Sequence, residues 1–368
     1  MILKEVFEHI ENWAPREISW KNDNVGLQAG SPDSKLKNIL LCLDVTEKVI
    51  HAAIKKECNL IISHHPLLFK QLKRLNFQSD KNSKILEKLI KNDISLYSAH
   101  TNLDFTRGGV SFELAKVLKL KNVRFLSNLK SNQCKLFVFI PENATEKVLK
   151  TIYSADSRAA GRYNHGFRID DWESFNRPSD TKSATDIISG FKKENEIKLE
   201  LLIDKWKVAR LIQSIKEIHT NREITFDVYP VENSNNNYGT GAIGNLNESM
   251  DFKKFLDHVS MSLKIKNYRY THGRSGRIKN VAVCGGAGFE FLNDAIKAGA
   301  DAFITSDIKY HNFQDAEKRI LLIDAGHYET EIHSLNEIKK RLKLIIKNDG
   351  NKVFKFSGST NPVIFYNN

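Results

Sequence analysis

Two adjacent histidines, His64 and His65, follow a short apolar segment that predicts a strand at residues 59–63. Neighbouring side chains on an extended backbone point in opposite directions, so the two imidazoles suit two neighbouring ions better than one. On its own the pair is weak evidence for a metal site. It becomes informative when other metal-binding side chains are expected nearby.

A second cluster, Ala-His-Thr-Asn-Leu-Asp at residues 99–104, also leaves the end of a predicted strand. Asp104 offers an anionic oxygen ligand, and His100 offers an imidazole that could bind a metal, orient a ligand or transfer protons. Aspartate is equally common in turns and caps, and the pair Gly108-Gly109 that follows indicates a turn. The cluster alone leaves both interpretations open.

The third cluster, Asp-Ala-Gly-His-Tyr-Glu-Thr-Glu at residues 324–331, is the most informative. His327 and Glu331 are four residues apart where a helix is predicted to begin, so they share one face, as metal-binding pairs on helices do. The alternative is an unrelated exposed pair. Glu329 and His333 have the same spacing and show that it also arises by chance.

All three clusters lie just beyond predicted strand ends, where ligands gather in open α/β sheets. A mixed set of imidazoles and carboxylates suits Zn, Fe or Mn ions, and one carboxylate could bridge two of them. Five ligands for two divalent ions leave positions open for water or substrate, which is typical of a catalytic site. The predicted metal ligands are His64, His65, Asp104, His327 and Glu331.

Alternating strands and helices are predicted on both sides of a different middle region, which indicates an α/β fold. Strands are predicted at 38–45, 59–63, 94–99, 280–284, 302–305 and 320–324. Helices are predicted at 46–56, 81–92, 110–118, 290–298 and 313–318, with a long one from about 328. The N-terminal residues 3–13 also have a helical apolar stripe, which is typical of a folded helix rather than a signal peptide.

The middle region shows a β-α-β, β-α-β order, which is typical of a ferredoxin-like α+β module. We therefore predict an α/β metal-binding domain of two similar halves, residues 1–126 and 237–368. A domain at residues 127–236 is inserted between them.

The composition is that of an ordinary globular protein, with 41% hydrophobic and 27% charged residues among 368. The net charge of +12 is spread along the chain, and no motif indicates nucleic-acid binding. Cys42, Cys58, Cys134 and Cys284 lie far apart, so free buried thiols are expected. No apolar run is long enough for a membrane span, and we expect a cytoplasmic protein.

The chain resembles the dinuclear metal-centre family labelled GTP cyclohydrolase I type II homologues, also called NIF-three-like proteins. Motifs matching that family occur along almost the whole chain. They are Asp23-Asn24-Val25-Gly26-Leu27, Leu43-Asp44-Val45-Thr46, Ser63-His64-His65-Pro66, Asn102-Leu103-Asp104, Cys284-Gly285-Gly286, Asp307-Ile308-Lys309-Tyr310-His311 and Gly326-His327-Tyr328-Glu329-Thr330-Glu331.

The resemblance implies the same five metal ligands, with a carboxylate bridging two ions. It also implies a homohexameric, toroidal ring with metal sites facing an inner cavity, and a PII- or CutA-like inserted domain. The chain departs from the family in one place: Ser306 stands before Asp307 where the family usually has glycine, so the local turn is expected to differ.

Two functions follow as hypotheses. The first is a metal-dependent hydrolase acting on a nucleotide or another phosphate-bearing small molecule, in which His100 or Glu331 assists proton transfer. The second is a non-catalytic ring that binds metal for regulation or as a scaffold, with the inserted domain sensing a ligand; it rests on analogy alone.

Overall fold

The computed structural model describes residues 1–70, 72–155, 168–176, 192–218, 224–274, 276–346 and 350–366. The strands are β1 Gly26–Ala29, β2 Ile39–Cys42, β3 Leu60–Ser63, β4 Ser95–Ser98, β5 Lys121–Asn128, β6 Gln133–Pro141, β7 Arg168–Asn176, β8 Lys192–Asp204, β9 Phe226–Val231, β10 Gly239–Asp251, β11 Arg269–Tyr270, β12 Arg277–Ala287, β13 Ala302–Ser306, β14 Leu321–Asp324 and β15 Val353–Lys355.

The α-helices are α1 Leu3–Trp13, α2 Glu47–Lys55, α3 Lys81–Lys91, α4 Thr101–Asp104, α5 Val110–Val117, α6 Thr145–Ala155, α7 Val208–Ile218, α8 Phe252–Leu263, α9 Leu292–Lys297, α10 Tyr310–Ala316, α11 His327–Glu331 and α12 Ser334–Ile345. Short 3₁₀ helices occur at Arg16–Ile18, Glu142–Ala144, Lys205–Lys207 and Phe289–Phe291. The prediction of a mixed α/β fold is confirmed. None of these helices is long and apolar enough to cross a membrane.

The chain forms two compact units, one of Met1–Asn128 with Asn236–Asn368 and one of Leu129–Asn235. The first unit contains two sheets. The five-stranded sheet has the order β1-β4-β3-β2-β15, in which β15, β2, β3 and β4 are parallel and β1 is antiparallel. The six-stranded sheet has the order β11-β14-β13-β12-β10-β5, with β12, β13 and β14 parallel.

The five-stranded sheet is apolar on both faces because helices cover both. Residues of β2, β3 and β4 alternate between two cores: Leu41 and Ile62 pack with α1 and α12, while Leu40 and Ile61 pack with α2 and α3. Ser63 is paired with Cys42 on one side and with Ser98 on the other, so the three strands end level. The residues that follow these strands therefore emerge at one edge.

The six-stranded sheet also has an apolar core on each face. Val283 and Ile304 face a core that includes α5 and α8, while Phe303 and Leu322 face one that includes α9 and α10. Thr305 is paired with Asp324, so β13 and β14 also end close together. Two parallel centres, of four strands in the first sheet and three in the second, thus present their carboxyl ends within one unit.

The second unit has its own core and a four-stranded antiparallel sheet of order β7-β8-β6-β9. Its described elements run β6-α6-β7-β8-α7-β9, which matches the β-α-β, β-α-β order expected from the sequence. A closer relation to PII or CutA stays a prediction.

The prediction of one long helix from about residue 328 is wrong in one respect, because the segment forms two helices, α11 and α12. Each helix contacts a different part of the first unit. Thr330 of α11 accepts a hydrogen bond from the backbone N–H of Gly286 at 3.0 Å. Leu335 and Ile338 of α12 instead pack in the core beside the five-stranded sheet. The break at residues 332–333 lets both attachments form.

Candidate metal centre

His64 is fully buried and presents one ring nitrogen to a cluster of carboxylates. Its Nδ1 donates a hydrogen bond to the carbonyl oxygen of Ala99 at 2.8 Å, which fixes the ring. Its Nε2 makes no hydrogen bond, and lies 3.7 Å from Asp104 Oδ1 and 3.6 Å from Glu331 Oε1. A buried, unpaired imidazole nitrogen facing two carboxylates fits a metal ligand.

His65 is oriented in the same manner by a different partner. Its Nδ1 lies 2.9 Å from Asp44 Oδ1, and its Nε2 lies 3.0 Å from Glu331 Oε2 and 3.2 Å from His327 Nε2. Burial lowers the pKa of His65, but the contacts with Asp44 and Glu331 outweigh it and raise the pKa to about 10. A proton held there occupies the position that a metal ion would take.

His327, at the start of α11, follows β14 of the six-stranded sheet. Its Nδ1 lies 2.6 Å from Asp307 Oδ2 and its Nε2 lies 3.0 Å from Glu331 Oε1. Burial lowers the pKa of His327, whereas the hydrogen bonds with Glu331 and Asp307 raise it to a net value of about 9. Asp307 holds this ring as Asp44 holds His65.

Glu331 lies at the centre of the cluster and is buried. Burial alone would raise the pKa of its carboxyl group, but the neighbouring histidines His64, His327 and His65 hold that pKa well below its usual value. Gly286 gives the carboxylate room: a Cβ atom on Gly286 would stand 2.2 Å from Glu331 Oε1. The backbone of Gly286 also has a φ of +66°, which favours glycine.

Asp104 and His100 complete the cluster on the side of the five-stranded sheet. Burial raises the pKa of Asp104 to about 7, and its Oδ1 has no hydrogen-bond partner. The Nδ1 of His100 lies 2.8 Å from Asp23 Oδ1, and the His100 ring centroid is 5.3 Å from that of His64. Burial opposes ionisation of Asp23, but hydrogen bonds from His100 and Thr101 lower its pKa to about 2.

Among the described residues, two overlapping groups have ligand atoms close enough to hold a metal ion, within 4.8 Å of one another. One group is His65, His327 and Glu331; the other is His64, His65 and His100. All four histidines use Nδ1 to contact a carboxylate or a carbonyl oxygen. Each Nε2 is thereby left on the opposite side of its ring, where a metal ligand atom is needed, so the residues fit a metal ion.

The three clusters predicted from the sequence lie together in the structure, but the sequence does not identify the side chains that orient their histidines. Asp44 and Asp23 lie within the family-like motifs, and their positions near strand ends are the signal that the sequence offers for their role. His64 and His65 lie at a bend after β3, so the alternation expected of a strand does not govern them. Ser306 is buried, and Asp307 after it has a φ of +57° and still reaches His327.

A cavity of about 600 Å³ opens beside His65 and His327. Its apolar wall includes Leu43, Tyr268 and Phe365. Its charged side chains include Asp44, Asp307, Asp324, Glu329 and Arg269, and Arg269 is ion-paired with Asp324. A small molecule of partly apolar character could therefore reach the imidazoles.

Comparisons with a protein-family model and with known proteins agree on one family. The family model for Duf34/NIF3 (NGG1p interacting factor 3) matches residues 1–362. A Bacillus subtilis protein named "GTP cyclohydrolase 1 type 2 homolog" is 31% identical over 366 residues, covering 98% of both chains. A Staphylococcus epidermidis protein of the same name is 33% identical over 330 residues, covering 89% of each.

Solved structures with similar folds include two bacterial proteins. A Bacillus cereus protein related to NIF3 has a TM-score of 0.86 at 31% identity, covering 100% of this chain and 99% of that one. A Staphylococcus aureus protein has a TM-score of 0.74 at 29% identity with the same coverage. The similarity therefore extends over both units of the chain.

Proposed function

The chain belongs to the Duf34/NIF3 family, and we propose that it is a metal-dependent hydrolase with a dinuclear metal centre. One observation supports this above others. The carboxylate of Glu331 lies 3.0 Å from the Nε2 atoms of His65 and His327, and 3.6 Å from that of His64. A buried carboxylate surrounded by oriented imidazoles is suited to bridge two ions.

The five candidate ligands would hold two divalent ions, of zinc, iron or manganese. His65 and His327 would bind one ion, His64 and Asp104 the other, and Glu331 would bridge them. The burial of Glu331 and the raised pKa of Asp104 both point to carboxyl groups that need a cation to be stable as anions. The mixed imidazole and carboxylate set suits these metals.

Bound divalent ions would supply an activated water and polarise the substrate. The protein contributes orientation and proton transfer. His100 is assigned the proton-transfer role, because Asp23 fixes its Nδ1 and the ring lies beside His64 and His65. Glu331, the other residue that the sequence suggests for this role, contacts three imidazoles, so its main task is to hold the ions.

The substrate is proposed to be a small molecule that occupies the cavity beside His65 and His327. The name of the relatives suggests a nucleotide or another phosphate-bearing compound. Among the described residues lining the cavity, Arg269 is the one arginine or lysine, and Asp324 already engages it. A phosphate group would therefore be held by the metal ions rather than by a protein cation.

We also propose that the protein assembles as a homohexameric ring with a PII- or CutA-like inserted domain. Several large apolar side chains are exposed in the first unit, among them Trp20, Phe69, Leu75 and Ile364, and contact with other copies would cover them. Size-exclusion chromatography with light scattering tests the assembly, since a monomer or dimer at micromolar concentration contradicts the ring.

The decisive test is metal content per chain, measured by elemental mass spectrometry on wild type, His327→Ala and Glu331→Ala. Two ions in wild type and fewer in both variants are expected. Little metal in wild type, or no loss in the variants, contradicts the metal centre. Metal-loaded protein is then incubated with GTP, related nucleotides and phosphoesters; full metal content without turnover of any of them favours a non-catalytic ring.

A further inference from the structure

The C-terminal segment that follows β15 lies beside the candidate metal centre. Strand β15 pairs in parallel with β2, with Lys355 opposite Leu41. The backbone N–H of Phe356 then donates to the carbonyl oxygen of Leu41 at 2.9 Å. Because parallel strands end at the same edge of a sheet, the chain beyond β15 emerges where Asp44 follows β2.

Among the described residues, side-chain hydrogen bonds from Thr360 and Asn361 fasten this segment. The hydroxyl of Thr360 donates a hydrogen bond to Asp44 Oδ2 at 2.7 Å. The side-chain amide of Asn361 donates to Glu329 Oε1 at 2.8 Å, while its Oδ1 accepts from the backbone N–H of Val363 at 3.0 Å. The segment beyond residue 361 is largely exposed, so these contacts determine its position.

The Thr360 contact extends the chain of groups that orients His65. Asp44 uses Oδ1 for His65 Nδ1 and Oδ2 for the Thr360 hydroxyl, so both carboxylate oxygens are engaged. A carboxylate held at both oxygens cannot rotate without breaking a hydrogen bond. The orientation of the His65 ring therefore depends on a residue from the opposite end of the chain.

We propose that Thr360 is a positioning residue of the metal centre, acting through Asp44 on His65. This inference rests on the proposed function in taking His65 as a metal ligand. Removal of a partner that orients a ligating histidine typically weakens metal binding about 10- to 100-fold. Thr360 acts one step further away, and Asp44 is partly exposed to water that can replace the hydroxyl. The expected effect is therefore smaller, about 3- to 10-fold.

The alternative is that Thr360 only fastens the C-terminal segment. Four variants of the full-length protein separate the two roles. Thr360→Val removes the hydroxyl and keeps the branched shape, and Thr360→Ser keeps the hydroxyl. Asn361→Ala releases the segment from Glu329 without touching Asp44. Thr240→Val, whose hydroxyl contacts Ser127 on another strand, serves as the matched control.

The experiment is Zn²⁺ binding in competition with a chromogenic chelator, with the melting temperature of each metal-free variant as the check on folding. Thr360→Val should bind Zn²⁺ about 3- to 10-fold more weakly and release it faster. Thr360→Ser, Asn361→Ala and Thr240→Val should match wild type.

Equal affinity in Thr360→Val and wild type overturns the inference, as does equal weakening in Thr360→Val and Thr360→Ser. Weakening in Asn361→Ala to the level of Thr360→Val assigns the effect to fastening of the segment and overturns it too. Wild type that binds no Zn²⁺ instead contradicts the metal centre itself, so the two failures are distinguishable.

Discussion

His65 and Glu331 lie 3.0 Å apart, Nε2 to Oε2, although they come from opposite ends of the chain and from different sheets. His65 follows β3 in the five-stranded sheet, and Glu331 ends α11 beside the six-stranded sheet. This contact joins the carboxyl ends of the two parallel centres. The candidate site therefore forms only when both halves of the first unit have folded together.

The central position of Glu331 leads to the first prediction. Glu331→Gln removes the anionic oxygens that face His64, His65 and His327, and metal content should fall well below that of wild type. Glu329→Gln is the matched control, because this carboxylate lies on the same helix and contacts Asn361 instead. Elemental mass spectrometry on both variants decides, and equal metal content in the two would refute a bridging role for Glu331.

A residue of this site can be predicted from the sequence when its place in the site follows from spacing within one short motif. His327 and Glu331 were predictable because helical spacing places them on one face. The role of Asp44 was not, since it depends on the register between β2 and β3. Thr360 lies in no motif, and its contact arises because β15 adds to the sheet beside β2. Short motifs thus predict the candidate ligands, whereas strand pairing determines which side chains contact them.

The second prediction concerns the carboxylates that orient the histidines. Asp44→Asn should weaken metal binding about 10- to 100-fold, because His65 Nδ1 loses its anionic partner. Asp307→Asn should have the smaller effect, since the Asp307 side chain is 56% exposed and water can replace it. Chelator competition measures both affinities. A larger loss in Asp307→Asn than in Asp44→Asn would contradict this ranking.

Gly286 supplies the third prediction. Gly286→Ala places a Cβ atom 2.2 Å from Glu331 Oε1 and forces a non-glycine residue to a φ of +66°. The free energy of unfolding should fall by about 1 kcal/mol or more, and Glu331 must move, so metal content should fall as well. Gly276→Ala is the control, because nothing lies within 4 Å of its Cβ position. Denaturant unfolding and metal analysis test the pair, and an unchanged metal content in Gly286→Ala would be inconsistent with the observed packing.

The fourth prediction is a pH dependence of the metal-free protein. The pKa of His65 is raised from 6.5 to about 10 and that of His327 to about 9. The stability that these groups contribute is fully present below about pH 6.5 and is lost as pH rises through about 9 to 10. The raised pKa of Asp104 acts in the same direction at lower pH: its contribution to stability is fully present below about pH 3.8 and is lost as pH rises through about 7.

The melting temperature of chelator-treated protein should therefore fall as pH is raised from about 6.5 to about 10. Metal-loaded protein should not show this fall, because metal ions replace the protons and bind more tightly as protons leave. Calorimetry on both forms across this range is the measurement. A metal-free protein that becomes more stable toward pH 10 would contradict the proton-sharing arrangement.

The last prediction separates the two roles open to His100. This ring lies close enough to His64 and His65 to join a metal group, yet Asp104 Oδ1 already lies 3.7 Å from His64 Nε2. If His100 transfers protons, His100→Ala should keep its metal and lose turnover by about 10²- to 10⁴-fold on any substrate found. His100→Gln should behave alike, since an amide cannot take up a proton near neutral pH. Metal analysis and turnover on the same preparations decide the matter: loss of one ion per chain would make His100 a ligand and remove it from the proton-transfer step.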